Sequence, residues 1–340
     1  MMEYREGYIS AVSHRGTAEE IEPGFYDLML LTCGWESRSI AISRVTSIQC
    51  NRAAIICFHD ASGRKGYEPA FLEALTEYAG RISGGQAIDV IEHNSSDLDG
   101  MAIRLVEKVV EVRRKVGKPI RVVFDISSCP RYYFLYFLGV GMKGRLCESV
   151  TFLYSEGQYE SEGEYEKEVV EYVATTGEWN TVPIPGFDGI FNPEGRAIFL
   201  VSVGFEGARY RSVVTRYEPD RVLVLLPAPG FNEKYTRRAE VACMPLVEEF
   251  RVADDDILRI PAGDAVAVWR AVSCAAARYQ GENVTYLAFG PKPHVLGLGL
   301  HGIVDQSISV LYRKPEGYTR KEVKPTGVMW SYALRNLALA

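Results

Sequence analysis

Short, almost wholly apolar runs alternate with helix-patterned segments along this chain, and the alternation runs through twice. In the first half the runs are Asp27–Thr32, Ala53–Phe58, Ala87–Ile91, Arg121–Phe124 and Ser149–Tyr154. In the second they are Ala197–Val203, Arg221–Leu226, Asp256–Ile260, Val284–Phe289 and Ser307–Tyr312. Runs this short, without polar alternation, suit strands covered on both faces. Between them, Phe71, Leu72, Leu75 and Tyr78 share one helical face in Pro69–Tyr78. Asp99–Val116 carries Met101, Leu105, Val109 and Val112, then a basic end (Arg113, Arg114, Lys115) and Gly117, as a helix C-terminus favours. The spacing predicts an α/β fold: two similar Rossmann-like units with mostly parallel sheets covered by helices.

The halves also match in detail. Cys33-Gly34-Trp35-Glu36 pairs with Val203-Gly204-Phe205-Glu206, Phe124-Asp125 with Phe289-Gly290, and Phe152-Leu153-Tyr154 with Val310-Leu311-Tyr312. A duplicated domain is expected, with boundaries at 1–175 and 196–340 and a Pro- and Gly-bearing linker at 176–195. The expected arrangement is an intrachain pseudo-dimer, like strand ends facing each other across a two-fold axis. Residues 1–25 read as a polar lead-in, and the acidic, Tyr-rich 156–171 as an extended hairpin or edge segment.

Composition excludes several classes. Net charge is −6 over 340 residues, so general DNA or RNA coating is disfavoured, although a local basic pocket is not. Seven cysteines are scattered without a C-x-x-C, which reads as reduced, mostly buried thiols of a cytoplasmic protein. The opening Met-Met-Glu-Tyr-Arg-Glu lacks the apolar core of a signal peptide, and no apolar run reaches the roughly 18 residues of a membrane span. There is no G-x-G-x-x-G after strand one, no G-x-x-x-x-G-K-[ST] or G-x-S-x-G, and no His/Cys cluster with zinc spacing. No cofactor or metal is therefore expected.

The candidate site centres on Val122–Arg131. A strand breaks into the hydroxyl-rich turn Asp125-Ile126-Ser127-Ser128-Cys129-Pro130 and resumes as an aromatic helix from Arg131 to about Met142. Ligands of open α/β sheets bind at strand carboxyl ends, where helix N-termini offer N–H groups. Ser127 and Ser128 add hydroxyl donors and Arg131 a fixed positive charge, a set suited to phosphate. The same residues suit plain capping, with Asp125 bonding the turn. Each half also opens a helix after its first strand with Gly, an aromatic, Glu and Arg: Gly34, Trp35, Glu36 and Arg38, then Gly204, Phe205, Glu206 and Arg209. The aromatics offer stacking, the glutamates acid–base or ribose contacts, the arginines phosphate clamps. A first-turn Glu that merely complements the helix dipole and pairs with Arg is the alternative. Gly290-Pro291-Lys292-Pro293-His294 adds a lysine for phosphate, with His294 read as a surface or capping histidine. His59–Gly66 reads as a solvated loop, with a mobile loop over the site as the alternative, and Asp254–Asp256 as a solvated turn.

A five-stranded Rossmann-like unit with contacts after strands one and four resembles the CRISPR-associated Rossmann fold (CARF) sensor domains, here as a tandem pair. In that family strand four leads into an Asp or Asn, a Ser or Thr, then a Lys or Arg. Asp125-Ile126-Ser127-Ser128-Cys129-Pro130-Arg131 is similar to that pattern, while Gly290-Pro291-Lys292 lacks the Asp and Ser. The resemblance implies binding of a nucleotide or cyclic-oligonucleotide second messenger in prokaryotic antiviral defence, with a possible effector protein as partner. Two other classes stay open. One is a metal-independent nucleotide-processing enzyme, either a ring-nuclease-like phosphodiesterase or a nucleoside glycosidase or transferase using Glu36 or Glu206. The other is a non-catalytic interaction subunit docking through 156–171.

Overall fold

The structure, a computed structural model, describes residues 2–60, 63–159 and 175–339. It divides into two compact units, Met1–Glu160 with Glu322–Ala340, and Ser161–Lys321. In the first, β1 (Met2–Glu6), β2 (Ile9–Gly16), β3 (Gly24–Tyr26), β4 (Leu28–Cys33), β5 (Ile48–Cys50) and β6 (Ala53–His59) lead to α1 (Pro69–Ile82) and β7 (Ile88–Asn94). Then come α2 (Leu98–Val116), β8 (Ile120–Asp125), α3 (Arg131–Leu138) and β9 (Cys147–Tyr159). The second unit holds β10 (Thr175–Asp188), β11 (Ala197–Ser202), α4 (Gly207–Tyr217), β12 (Arg221–Pro227), α5 (Glu233–Glu249) and β13 (Ile257–Ile260). It ends with α6 (Ala265–Ala276), β14 (Asn283–Ala288), α7 (Lys292–Val304) and β15 (Ser309–Tyr318), after which β16 (Val323–Asn336) returns to the first unit.

Both sheets follow one plan. The parallel strands run β7-β6-β4-β8-β9 in the first unit and β13-β12-β11-β14-β15 in the second, a 3-2-1-4-5 order in each. The direction of winding reverses between strands one and four, which puts a crevice outside their carboxyl ends. Every residue of β4 is buried, as a strand covered on both faces requires. Helix α2 begins where Asp97 accepts the Gly100 N–H, a cap not read from the sequence, and ends at left-handed Gly117, as its basic end and glycine predict.

An antiparallel strand flanks each fifth strand, and the two are exchanged. β16 pairs with β9, and β10 pairs with β15. The segment following each unit's fifth strand thus completes the other unit's sheet.

Several expectations are corrected here. The span expected as a linker, 176–195, is mostly β10, in which Trp179, Ile184 and Phe187 are buried. Its prolines mimic a linker, but an edge strand tolerates them. The second unit stops at Lys321 rather than continuing to residue 340. The polar lead-in is largely β1 and β2, which extend the first sheet beyond β16. The segment after Glu36 is a 3-10 helix, Ser37–Arg44. The expected hairpin at 156–171 lies outside the described residues beyond Tyr159; up to there it is the end of β9.

The internal match is also partly re-registered. Leu30 pairs with Phe124 and Leu200 with Tyr286, so aligning Gly34 with Gly204 makes Phe124 equivalent to Tyr286, not Phe289. The equivalent of Gly290 is then Ser128. Phe152 and Val310 remain equivalent, since they pair with Phe124 and Tyr286. After Ser128 and Gly290, each chain reaches an N-cap proline (Pro130, Pro291) and a basic first helical residue (Arg131, Lys292).

Candidate functional site at the sheet switch points

In the first unit the exits of β4 and β8 touch. A β-carbon on Gly34 would lie 3.1 Å from the Ser128 Cβ and 3.3 Å from its Oγ, so glycine permits the approach. The two serines of the turn have different roles. Buried Asp125 accepts the Ser127 N–H (3.0 Å) and hydroxyl (2.6 Å), and the Ser127 Oγ accepts the Ser155 N–H (2.8 Å). Ser127 and Asp125 therefore lock the turn onto β9. The Ser128 Oγ is buried and has no hydrogen-bond partner among the described residues. Arg131, half-buried, opens α3, whose Tyr133 stacks on Phe58 with ring centroids 5.0 Å apart.

Trp35 and Glu36 are half-buried beside this crevice. Glu36 accepts from the Arg38 Nη2 (2.7 Å) and Nε (3.2 Å). Arg38 is buried; its Nη1 donates to the Tyr154 hydroxyl at 3.4 Å, and the guanidinium lies 5.7 Å from that ring's centre. Burial alone would lower the Arg38 pKa, but the Glu36 carboxylate and Tyr154 hydroxyl leave it raised. Ser37 donates its N–H (3.0 Å) and its hydroxyl to the same Glu322 carboxylate oxygen.

The second unit fills the equivalent place with its own side chains. Buried Glu206 accepts the Thr175 N–H (3.1 Å), the Thr175 hydroxyl (2.7 Å) and the Arg313 Nη1 (3.1 Å). The Arg313 guanidinium lies 4.1 Å from the Trp179 ring centre, and the Trp179 indole donates to the Thr175 hydroxyl at 2.9 Å. Arg209 donates to the Thr175 carbonyl at 3.0 Å and to the Gly177 carbonyl. Phe205 packs on Tyr235 and lies 5.4 Å from the Arg238 guanidinium. Gly204 and Gly290 bring their backbones together, and a β-carbon on Gly290 would run into the Ser202 hydroxyl. Lys292 is half-buried at the start of α7.

The structure thus brings Gly34, Trp35, Glu36, Ser128 and Arg131 to one switch point, and Phe205, Glu206, Arg209, Gly290 and Lys292 to the other. It gives Glu206 and Arg209 a task that sequence reasoning missed, anchoring the start of β10. Thr175, Trp179, Arg313 and Glu322 were missed with it, because strand exchange leaves no local pattern. His294 is not at the surface: it is fully buried, with its Nε2 3.1 Å from the Pro261 carbonyl, and burial pushes its pKa down to about 4. Asp256 is likewise buried rather than solvated, bound by Arg221 (2.6 Å) and Arg278 (3.0 Å). In the His59–Gly66 loop, Ala61 and Ser62 lie outside the described residues, and the Gly66 N–H bonds back to the Phe58 carbonyl at 2.8 Å. Six cysteines are buried and Cys274 is exposed. Among the described residues no group of three acidic, His or Cys side chains is placed to hold a metal, and no helix is long and apolar enough to cross a membrane.

No protein-family model matches the chain, and no curated protein matches it. Among solved structures, it is similar at 12% identity to a functionally unknown protein from Pseudomonas aeruginosa, covering 86% of this chain and 93% of that one, with a TM-score of 0.24. A putative universal stress protein from the same species gives 12% identity, coverage of 86% and 94%, and a TM-score of 0.24. At that level of similarity, the α/β assignment rests on the chain's own strand order, two mostly parallel sheets flanked by helices.

Proposed function

We propose that this chain is a nucleotide or cyclic-oligonucleotide sensor whose ligand contacts lie at the first unit's switch point. The observation that carries the reading is the Ser128 hydroxyl, buried without a partner among the described residues, against Gly34 and three residues before Arg131. A buried polar atom without a bond is costly, on the order of 1–3 kcal/mol, unless something else satisfies it. A phosphate oxygen would accept from that hydroxyl, with the α3 N-terminus and Arg131 adding positive potential. Trp35 is the aromatic at hand for a base. The role in antiviral defence rests on the resemblance to CARF domains.

The second unit is assigned a supporting part, because Glu206 and Arg209 already serve β10. That use also weighs against a glycosidase built on Glu206. Isothermal titration with ATP and with cyclic oligoadenylates, followed by chromatography of the recovered ligand, tests the reading. Retention of intact ligand by the wild type, with at least tenfold weaker binding by Arg131→Glu, is the expected result. Turnover would move the chain to the nucleotide-processing class, and equal affinity of both proteins would remove the assignment.

A further inference from the structure

The first turn of each unit holds the start of the exchanged strand, and the two holds are chemically unlike. In the second unit the start of β10 is held by a buried network around Glu206, Arg209 and Arg313. In the first unit Glu322, immediately before β16, is held by Ser37 through its N–H and hydroxyl. A backbone N–H and a hydroxyl converging on one anionic oxygen, after the first strand of an α/β sheet, is also how such sheets hold phosphate. The Glu322 carboxylate accepts the bonds that a ligand oxyanion would accept.

The start of β16 is set off from the rest by a break in register. Val323, Lys324 and Pro325 pair with Tyr159, Gln158 and Gly157, and the register then breaks before the continuous ladder from Met329 to Arg335. Gly327, within the break, has φ +92°. Val323 and Arg38 both crowd Gly157, where a β-carbon would lie 2.5 Å from the Val323 Cγ1 and 2.8 Å from the Arg38 Nη1. This short ladder therefore covers the Arg38 guanidinium.

We propose that Glu322 is an internal competitor for the anionic group of the ligand. A nucleotide phosphate displaces its carboxylate from Ser37, frees the Val323–Pro325 ladder and uncovers Arg38, which then faces the phosphate. This rests on the nucleotide reading above and adds how occupancy of that site is passed to the start of β16.

Hydrogen exchange followed by mass spectrometry tests it, with ATP as the probe and Met329–Arg335 as the internal reference. In the ligand-free protein, Glu322→Gln should speed exchange at Val323–Lys324 about tenfold and leave the reference unchanged. ATP should have the same effect on the wild type and no further effect on the variant. The variant should also bind ATP about tenfold more tightly, because the competitor is gone. Glu322→Ala, which removes the carboxylate altogether, should behave like Glu322→Gln. Wild-type exchange in both ligand-free variants would overturn the latch. ATP binding that leaves wild-type exchange unchanged would overturn the competition while keeping the nucleotide reading. Absence of ATP binding by all three proteins would remove that reading and the competition with it.

Discussion

The two first turns share a Gly–aromatic–Glu sequence but keep their charges differently. Glu206 is enclosed by three donors from β10 and β15. Glu36 makes a local pair with Arg38, and its side chain is 18% exposed against 7% for Glu206. The carboxylate has the same place in the two sheets but not the same task. In one unit it is a structural anchor held by another strand; in the other it is paired within its own turn.

Glu206→Ala leaves Arg313 buried without its partner and the start of β10 without its acceptor. Breaking such a pair costs about 3–5 kcal/mol. Glu36→Ala removes one partner from Arg38 while the Tyr154 contact stays, at a cost of about 1–3 kcal/mol. Urea unfolding of both variants checks the ranking. If Glu36→Ala proves the more damaging, the two turns have not diverged as described.

Acid should also separate the units. Aligning Arg131 with Lys292 sets Tyr133 opposite His294, so only the second unit carries an imidazole at this buried position. Desolvation holds the folded His294 pKa at about 4, against 6.5 for a free imidazole. Between those values the unfolded chain takes up a proton that the folded one refuses. Stability contributed by neutral His294 is therefore complete above pH 6.5 and is lost as pH falls toward 4, by about 3 kcal/mol in all. His294→Gln should flatten that part of a pH–stability curve. An unchanged slope would place the acid sensitivity elsewhere.

Much of the fold was legible because strands covered on both faces are apolar without interruption. Leu28–Cys33 and Ala197–Ser202 announce themselves, and α2 carries its own stop. What pairs with a fifth strand was not legible. Pro183 and Pro185 make β10 look like a linker, and nothing local to Val323–Asn336 names the sheet it joins. The site was half legible for a related reason. Ser127, Ser128, Asp125 and Arg131 stand together in sequence, but only the register shows that Ser127 and Asp125 are consumed by the turn and β9 while Ser128 is not. Glu206 read as a ligand contact because its partners, Thr175 and Arg313, lie 31 and 107 residues away.

The smallest expected change in stability sharpens the comparison most, because it separates neighbouring serines. Ser127→Ala loses a hydroxyl that donates to Asp125 and accepts from Ser155, so it should cost about 1–2 kcal/mol. Ser128→Ala removes a hydroxyl with no partner among the described residues, and thermal unfolding should find it neutral or slightly stabilised. The second unit has already made a related change, with Gly290 at the equivalent position. If the Ser128 hydroxyl is kept for a ligand, Ser128→Ala loses nucleotide affinity at no cost in stability, whereas the cost of Ser127→Ala appears without any ligand present. A Ser128→Ala protein as unstable as Ser127→Ala would mean that the hydroxyl is satisfied from within, and the two crevices would then be alike.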